Sequence, residues 1–439
     1  MKIYSLLKNI FSLSLGTTIA SIIGIIFTPI LSFYFSPSSY GKFAIFLGII
    51  TILSSISSLR LEQAIPLPKV KKDSIALVYV SFVLLIFSSI FFGIIFFIVD
   101  FLYPSILEIS NYKLIIYLLF PIAIFFFGVF NIMLNYAVKV EGYKDLSLAQ
   151  IIISVFSFIL PICFFEYEEY ALLFFVALGN FLGAIYLFIR LNIINEKKSS
   201  EYLKQAYEYR DFIKFSTFES LLNNLGAHAP VFIITFIFSS VEAGIFAYCS
   251  RLLNYPASLL VNVVNKPLLN EYLKIYSLKK DQLFKEIKKY YKLYFLTINS
   301  LVLIFPYIIS YIFSLFVSEQ WYDSVVVSKL LSPWITGLLI ATPFTPLFLV
   351  LRKQKESMLF QLALFIGRVS ILFLIGILFL NLNYSILSYS IFSYLLWIMI
   401  AAFLLIKSGY SFNKFVKDFM MSLFISILLW STLKILLII

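Results

Sequence analysis

The stretch FSSVEAGIFA, residues 238–247, repeats FSPSSYGKFA, residues 35–44, without a gap and at a constant offset. The matched positions are Phe35/Phe238, Ser36/Ser239, Gly41/Gly244, Phe43/Phe246 and Ala44/Ala247. Each copy sits in a short connection between the first and second of six apolar runs. A chain rich in phenylalanine and serine yields some identities by accident, so the shared position carries most of the weight. The pairing predicts an all-α protein of two six-helix bundles in the same orientation, related by an axis along the membrane normal. Transporters are commonly built from such parallel repeats, with the substrate held between the halves.

Composition places these runs in a membrane. The chain has 439 residues, is 62% hydrophobic and only 13% charged, with a mean hydropathy of +0.99. A soluble chain is about half apolar and about a quarter charged. Cys163 and Cys249 both fall in apolar segments, which argues against a disulfide framework or a zinc cluster. The net charge of +12 would suggest nucleic acid in a soluble protein; here its placement points to a membrane surface. The N-terminal run MKIYSLLKNIFSLSLGTTIASIIGIIF has a basic start, but its apolar part exceeds the roughly 7–15 residues of a signal sequence. It reads as an uncleaved first span.

About 20 apolar residues cross the hydrocarbon. Spans are therefore expected near 11–35, 42–59, 75–99, 113–137, 146–165 and 170–189, then 212–238, 243–265, 290–316, 325–350, 357–380 and 384–406. A thirteenth candidate covers 419–439 and contains Lys434. The resulting domains are an N-terminal lobe at 1–190, a linker at 191–211, a second lobe at 212–406 and a tail at 407–439. With the N-terminus in the cytoplasm, the bases alternate as the positive-inside rule requires. Inner connections hold Arg60 and Lys69, Lys139 and Lys144, six bases between Arg190 and Lys214, and eight lysines from Lys266 to Lys292. Outer connections hold Asp100, Glu166, Glu242 and Glu319 with few bases, and all are too short to fold into a catalytic domain. The segment from Lys266 to Lys292 has the spacing of a basic amphipathic helix on an anionic leaflet, or of a plain solvated connector.

Within the spans, charge is the informative exception. Arg251, in YCSRLLNYP (248–256), sits near the middle of the eighth span, where an arginine costs about 2.5–3.5 kcal/mol even on lenient scales. Gly244, Tyr248, Arg251, Tyr255, Ser258 and Asn262 fall on one helical stripe. Such a stripe either lines a wet cavity or packs against another helix. Arg368 lies at similar depth, with Gln361 two turns away on its face. The seventh span carries Ser216, Glu219, Asn223, Gly226 and Pro230, and the first a smaller stripe of Ser14, Thr17, Ser21, Gly24 and Thr28. Arg251 and Arg368 are candidate substrate contacts, with Tyr248 and Tyr255 beside the first. The alternative is an ion pair with Glu219. Glu219, with Asn223, is a candidate proton or sodium site or a structural partner. His228 falls on the opposite side of its helix from Glu219, which favours packing over proton relay.

No Walker-type loop, H-E-x-x-H, glycosidase-like carboxylate pair or nucleophile elbow occurs in the sequence. That pattern implies no enzyme, no catalytic residues, no metal and no bound cofactor, with transport driven by an H+ or Na+ gradient or by substrate supply.

The stretch SLGTTIASIIGIIFTPILSFYFSPSSYGKFAIF and the run SSLRLEQAIPLPK, ending at Lys69, resemble the start of polysaccharide repeat-unit flippases. These form the Wzx-like branch of the multidrug/oligosaccharidyl-lipid/polysaccharide exporter (MOP) superfamily. The elements that carry the resemblance are Gly16-Thr17, Pro29, Ser36-Pro37, Tyr40-Gly41, Phe43-Ala44 and Leu59-Arg60 through Glu62 to Leu67-Pro68. YCSRLLNYP is similar to an eighth-helix pattern, Tyr-x-x-Arg-Leu-x-x-x-Pro, shared with peptidoglycan-precursor flippases. The resemblance implies a cationic central cavity in the bacterial cytoplasmic membrane. Its substrate would be an undecaprenyl-diphosphate-linked glycan such as an O-antigen or capsule repeat unit. Membrane lipids, a polysaccharide polymerase and chain-length proteins are the implied partners, and nucleic acid is not one. Arg60 and Arg251 match the family patterns and are the implied diphosphate or acidic-sugar contacts. Twelve or fourteen spans are usual in that branch, so a thirteenth is a departure. Two other readings stand beside this one: a cation-coupled drug exporter of the same superfamily, and a membrane polymerase or glycosyltransferase.

Overall fold

The computed structural model describes residues 2–102, 113–193, 202–210, 213, 216–278, 287, 291, 294–351 and 353–436. The first half is α1 (Lys2–Tyr34), α2 (Pro37–Ile56), α3 (Lys71–Leu102), α4 (Lys113–Lys139), α5 (Tyr143–Phe158) and α6 (Glu168–Arg190). The second is α7 (Thr217–Ile237), α8 (Ser240–Leu278), a broken α9 ending in the arm Phe305–Phe316, α10 (Asp323–Ala341), α11 (Gln354–Phe379) and α12 (Leu382–Lys407). Helix α13 (Phe412–Leu436) follows. Among the described residues, 11 helices are long and apolar enough to cross a membrane, or 12 if the bent α9 is one span. Helix α8, 39 residues long, covers the expected eighth span at 243–265 but is not among those 11 helices. The protein is a multi-pass helical membrane protein. Much of the amphipathic connector expected before Lys292 lies outside the described residues.

Helix boundaries follow local chemistry. Pro37 opens α2, where its fixed φ suits a first turn and its missing N–H costs nothing. The α11–α12 boundary has Leu380 in the left-handed region, then Asn381, whose side chain accepts from the Asn383 and Tyr384 amides as an N-cap. Helix α9 breaks: Tyr294–Ser300 and Phe305–Phe316 meet at 61°. A break frees backbone groups that lipid cannot satisfy, and α13 supplies a partner. The Leu303 amide donates to Ser426 Oγ at 3.1 Å, and Asn299 Nδ2 donates to Ser422 Oγ at 2.6 Å. Tyr410 donates to Asp418 at 2.5 Å, and Trp430 Nε1 donates to the Tyr307 hydroxyl at 3.1 Å. Asp418, Ser422, Ser426 and Trp430 recur every fourth residue, so one polar edge keys the thirteenth candidate span to its own unit.

The chain forms two compact units, one of Met1–Phe27 with Lys42–His228 and one of Thr28–Gly41 with Ala229–Ile439. Helices α1, α2 and α7 therefore each contribute to both. The first unit has a core around Ile65, Leu77, Leu85, Met133, Ala149 and Leu187. The second is centred on Phe295, Ile340, Phe344, Leu347 and Leu404.

Residues 28–41 join the second unit because the two sequence repeats touch there. A Cβ on Gly41 would lie 1.8 Å from the Ser240 carbonyl oxygen, and one on Gly244 would lie 1.9 Å from that of Pro37. Ser240 is the counterpart of Pro37 in the repeat alignment, so the contact is reciprocal, position for position, as a local two-fold requires. The Ser38 and Ser240 hydroxyls, 3.3 Å apart, add a hydrogen bond. Only glycine permits backbones this close.

Gly244→Ala must push the α1–α2 turn away from α8. Overpacking of this kind typically costs about 1–3 kcal/mol. Thermal unfolding of the purified protein should show a lowered midpoint for Gly41→Ala and for Gly244→Ala. Unchanged midpoints for both would contradict this packing.

Candidate functional site

Arg251 is half-buried on α8 and held by hydroxyls. Its Nε donates to the Tyr255 hydroxyl at 2.8 Å and its Nη1 to the Tyr40 hydroxyl at 3.3 Å. Tyr255 is one turn away on the same helix. Tyr40 comes from the first repeat and reaches the second unit through the Gly41–Gly244 approach. Behind it, Tyr40, Tyr248 and Trp321 form an aromatic wall, with ring centroids 5.6 Å apart for Tyr40–Trp321 and 4.5 Å for Tyr248–Trp321. Trp321 Nε1 donates to the Phe35 carbonyl at 2.9 Å, and Ser318 donates to that of Ser32 at 2.7 Å.

The sequence places Tyr248 on the same stripe as Arg251, open to a ligand. In the structure it is 0% exposed and packs on Trp321 and Phe313. A helical stripe spans about 100°, wide enough to hold a buried edge as well as an open one. Tyr248 lies on the buried edge and Tyr255 on the other. Ser258 is spent locally, donating to the Tyr255 carbonyl at 2.9 Å, and the Asn262 side chain lies outside the described residues.

Arg368 occupies a second setting within the same unit. Its Nε donates to Ser393 Oγ at 2.8 Å. Its guanidinium carbon lies 5.6 Å from the Tyr389 ring centre and 6.0 Å from that of Trp334, within cation–π range. Helices α10 and α12 thus wall in a guanidinium that α11 carries. The Nη2 atom is buried without a hydrogen-bond partner among the described residues. Gln361, expected beside it, is exposed.

The first unit carries the other candidates. Beyond α2, Leu59 and Arg60 take φ values of 51° and 58°, left-handed conformations uncommon without glycine and often retained at functional sites. Arg60 Nη1 donates to Glu62 Oε1 at 3.3 Å and Ser58 Oγ donates to Glu62 Oε2 at 2.5 Å. The Arg60 side chain is 21% exposed and that of Glu62 2%. Lys139, from the last turn of α4, donates to the Pro66 and Pro68 carbonyls and pins the loop. Burial pushes the Glu62 carboxyl above its ordinary value, while Ser58 and Arg60 pull it down.

Glu219 and Asn223 are exposed, one turn apart on α7. The engaged amide is their neighbour: Asn224 Nδ2 donates to Ser55 Oγ at 3.1 Å and to the Ser220 carbonyl at 2.8 Å. His228 is half-buried on the same helix. Tyr40, Glu62 and Asn224 received no role from sequence. Tyr40 and Glu62 stand inside the stretches that carry the family resemblance, which was the available signal; Asn224 had none.

Long apolar helices packed in two units define a multi-pass helical membrane protein. The chain matches the family of polysaccharide biosynthesis proteins over residues 6–269, and it belongs to that family. Solved structures share the fold. A lipid II flippase, MurJ, in an inward closed conformation superposes with a TM-score of 0.68 at 13% identity, covering 96% of this chain and 92% of that one. An inward-facing multidrug resistance MATE family transporter of the MOP superfamily gives 0.66 at 13% identity over 92% and 96%. A Vibrio cholerae MATE transporter in its bent form gives 0.57 at 12% over 95% and 99%. No curated protein matches the chain.

The raised Glu62 carboxyl has a definite consequence for stability. Between the ordinary value of 4.5 and its raised folded-state value, the folded protein binds more protons than the unfolded chain, so stability falls as pH rises. Thermal midpoints measured upward from pH 4.5 should decline less steeply in Glu62→Gln than in the wild type. Parallel curves would show that Glu62 carries no such linkage.

Proposed function

We propose that this protein is a flippase. It moves undecaprenyl-diphosphate-linked oligosaccharide repeat units from the inner to the outer leaflet of the bacterial cytoplasmic membrane by alternating access. The observation that carries the reading is the Arg251 guanidinium, half-buried on the long helix α8 and oriented by the Tyr255 and Tyr40 hydroxyls. Phenolic oxygens fix the plane of a guanidinium, which suits a site built to meet a phosphate fork. A polar glycan cannot cross hydrocarbon unaided, whereas a polyprenyl tail can stay in the bilayer throughout.

In this reading Arg251, Arg60 and Arg368 contact the diphosphate or acidic sugars. Tyr255 and Tyr40 orient Arg251, and Tyr248 supports them from the core. Family membership supports a polysaccharide pathway, and likeness to a lipid II flippase supports a lipid-linked cargo. The exposed Glu219 and Asn223 are one pair of groups available for H+ or Na+ coupling, with the N-terminus cytoplasmic. A polymerase and chain-length proteins would act on the delivered units. Likeness to MATE transporters favours, as a second reading, a small-molecule exporter. Arginines rather than carboxylates at the named positions weigh against a cationic drug as cargo.

A charge-assisted hydrogen bond is worth about 1.5–3 kcal/mol, and about 1.4 kcal/mol is tenfold in affinity. Arg251→Ala and Arg60→Ala should therefore each cut surface-glycan display at least about tenfold at normal protein abundance, with Tyr255→Phe less severe. Reconstituted vesicles should move a radiolabelled glycan-lipid between leaflets without forming a bond. Full display in both arginine variants would remove the assigned roles.

A further inference from the structure

Glu62 is an acid that the transport reading does not use. Its carboxylate is 1% exposed and has one basic neighbour acting on it, Arg60, across 3.3 Å. The turn Leu61–Ala64 packs against α3 and α4. The charged groups at the ends of those helices nearer the turn are Lys71, Lys72 and Asp73 in the first turn of α3 and Lys139 in the last turn of α4, while Asp100 and Lys113 lie at their far ends. Lys139 is committed to the Pro66 and Pro68 carbonyls. Tyr136, also on α4, is fully buried. Arg60 is therefore the charge that compensates Glu62, yet it is also the more exposed of the two. Its Nε is buried and lacks a hydrogen-bond partner among the described residues, and its backbone sits in the left-handed region. The guanidinium is held loosely, by a single contact to a carboxylate that cannot follow it outward.

We propose that Glu62 is a proton-binding site linked to occupancy of Arg60. An arriving phosphate or diphosphate group draws the guanidinium off Glu62, and the abandoned carboxylate takes one proton from water onto an oxygen. When the anion leaves, Arg60 returns and the proton is released. No bond other than O–H forms or breaks. Desolvation makes a lone buried carboxylate unstable as an anion, so neutralisation is the accessible response. Ser58 can stay in place, because its hydroxyl can accept from the protonated acid as readily as it donates to the anion. The inference rests on the reading of Arg60 as an anion contact and adds to it a coupled proton, at a carboxylate other than Glu219.

Two measurements test it. In ligand-free protein in lipid nanodiscs at neutral pH, Arg60→Ala should show a protonated-carboxyl infrared band. That band should be absent from the wild type and from Arg60→Ala/Glu62→Gln. No band, or one that survives the second substitution, overturns the link. Should Arg60→Ala fail to fold, the second measurement stands alone: undecaprenyl diphosphate is added to weakly buffered wild type and Glu62→Gln. The wild type should take up about one proton per bound lipid and Glu62→Gln none. Binding without uptake, or equal uptake in both proteins, overturns the proton site and leaves the flippase reading intact. If the lipid fails to bind the wild type, both fall together, unlike the case of bound lipid without uptake.

Discussion

A charge inside a membrane must be matched by groups the protein itself supplies, because lipid offers none. Charged side chains on the described helices answer to that requirement in different ways. Arg251 is matched by tyrosine hydroxyls and Arg368 by a serine and two aromatic faces. Lys42 and the largely buried Glu169 pair directly at 3.4 Å, and Asp418 is capped by Tyr410. The difference matters for function. A carboxylate cancels the charge it meets, whereas a hydroxyl or a ring orients it and leaves its field available to an anion. Arg368, beside a serine and two aromatic faces, falls in the latter class.

The same requirement governs the backbone. Helix α9 bends by 61°, and the groups near the break find their partners on a single edge of α13. An additional helix beyond the second six is thereby specified by its serines and not by hydropathy alone. At the α1–α2 turn, the absence of two Cβ atoms lets the repeats meet backbone to backbone. That meeting delivers Tyr40 to Arg251 and Phe35 to Trp321. Repeat, close contact and candidate site form one causal chain: two glycines permit the approach, the approach positions a phenol, and the phenol orients a guanidinium.

Some of the candidate site was legible from spacing and some was not. Arg251 and Tyr255, a turn apart, needed only helical periodicity. Tyr248 misled because periodicity assigns a residue to a broad face and cannot tell its open edge from its buried one; Trp321, more than seventy residues away, made that choice. Asn223 and Asn224 are adjacent and chemically identical. Only the position of Ser55 on α2 determines that Asn224 is engaged and Asn223 exposed. Glu62 is close to Arg60 in sequence, but its burial comes from α3 and α4 closing over the turn.

What the amino-acid order determined by itself is whatever depends on local composition and period: long apolar helices, their approximate ends, the doubled six-helix plan and the presence of arginines where lipid would reject them. What only the tertiary structure decided is which neutral or charged partner each polar side chain meets. Local spacing sets a side chain's direction to within a helix face, while burial and hydrogen bonding are set within a few ångströms by residues distant in the chain.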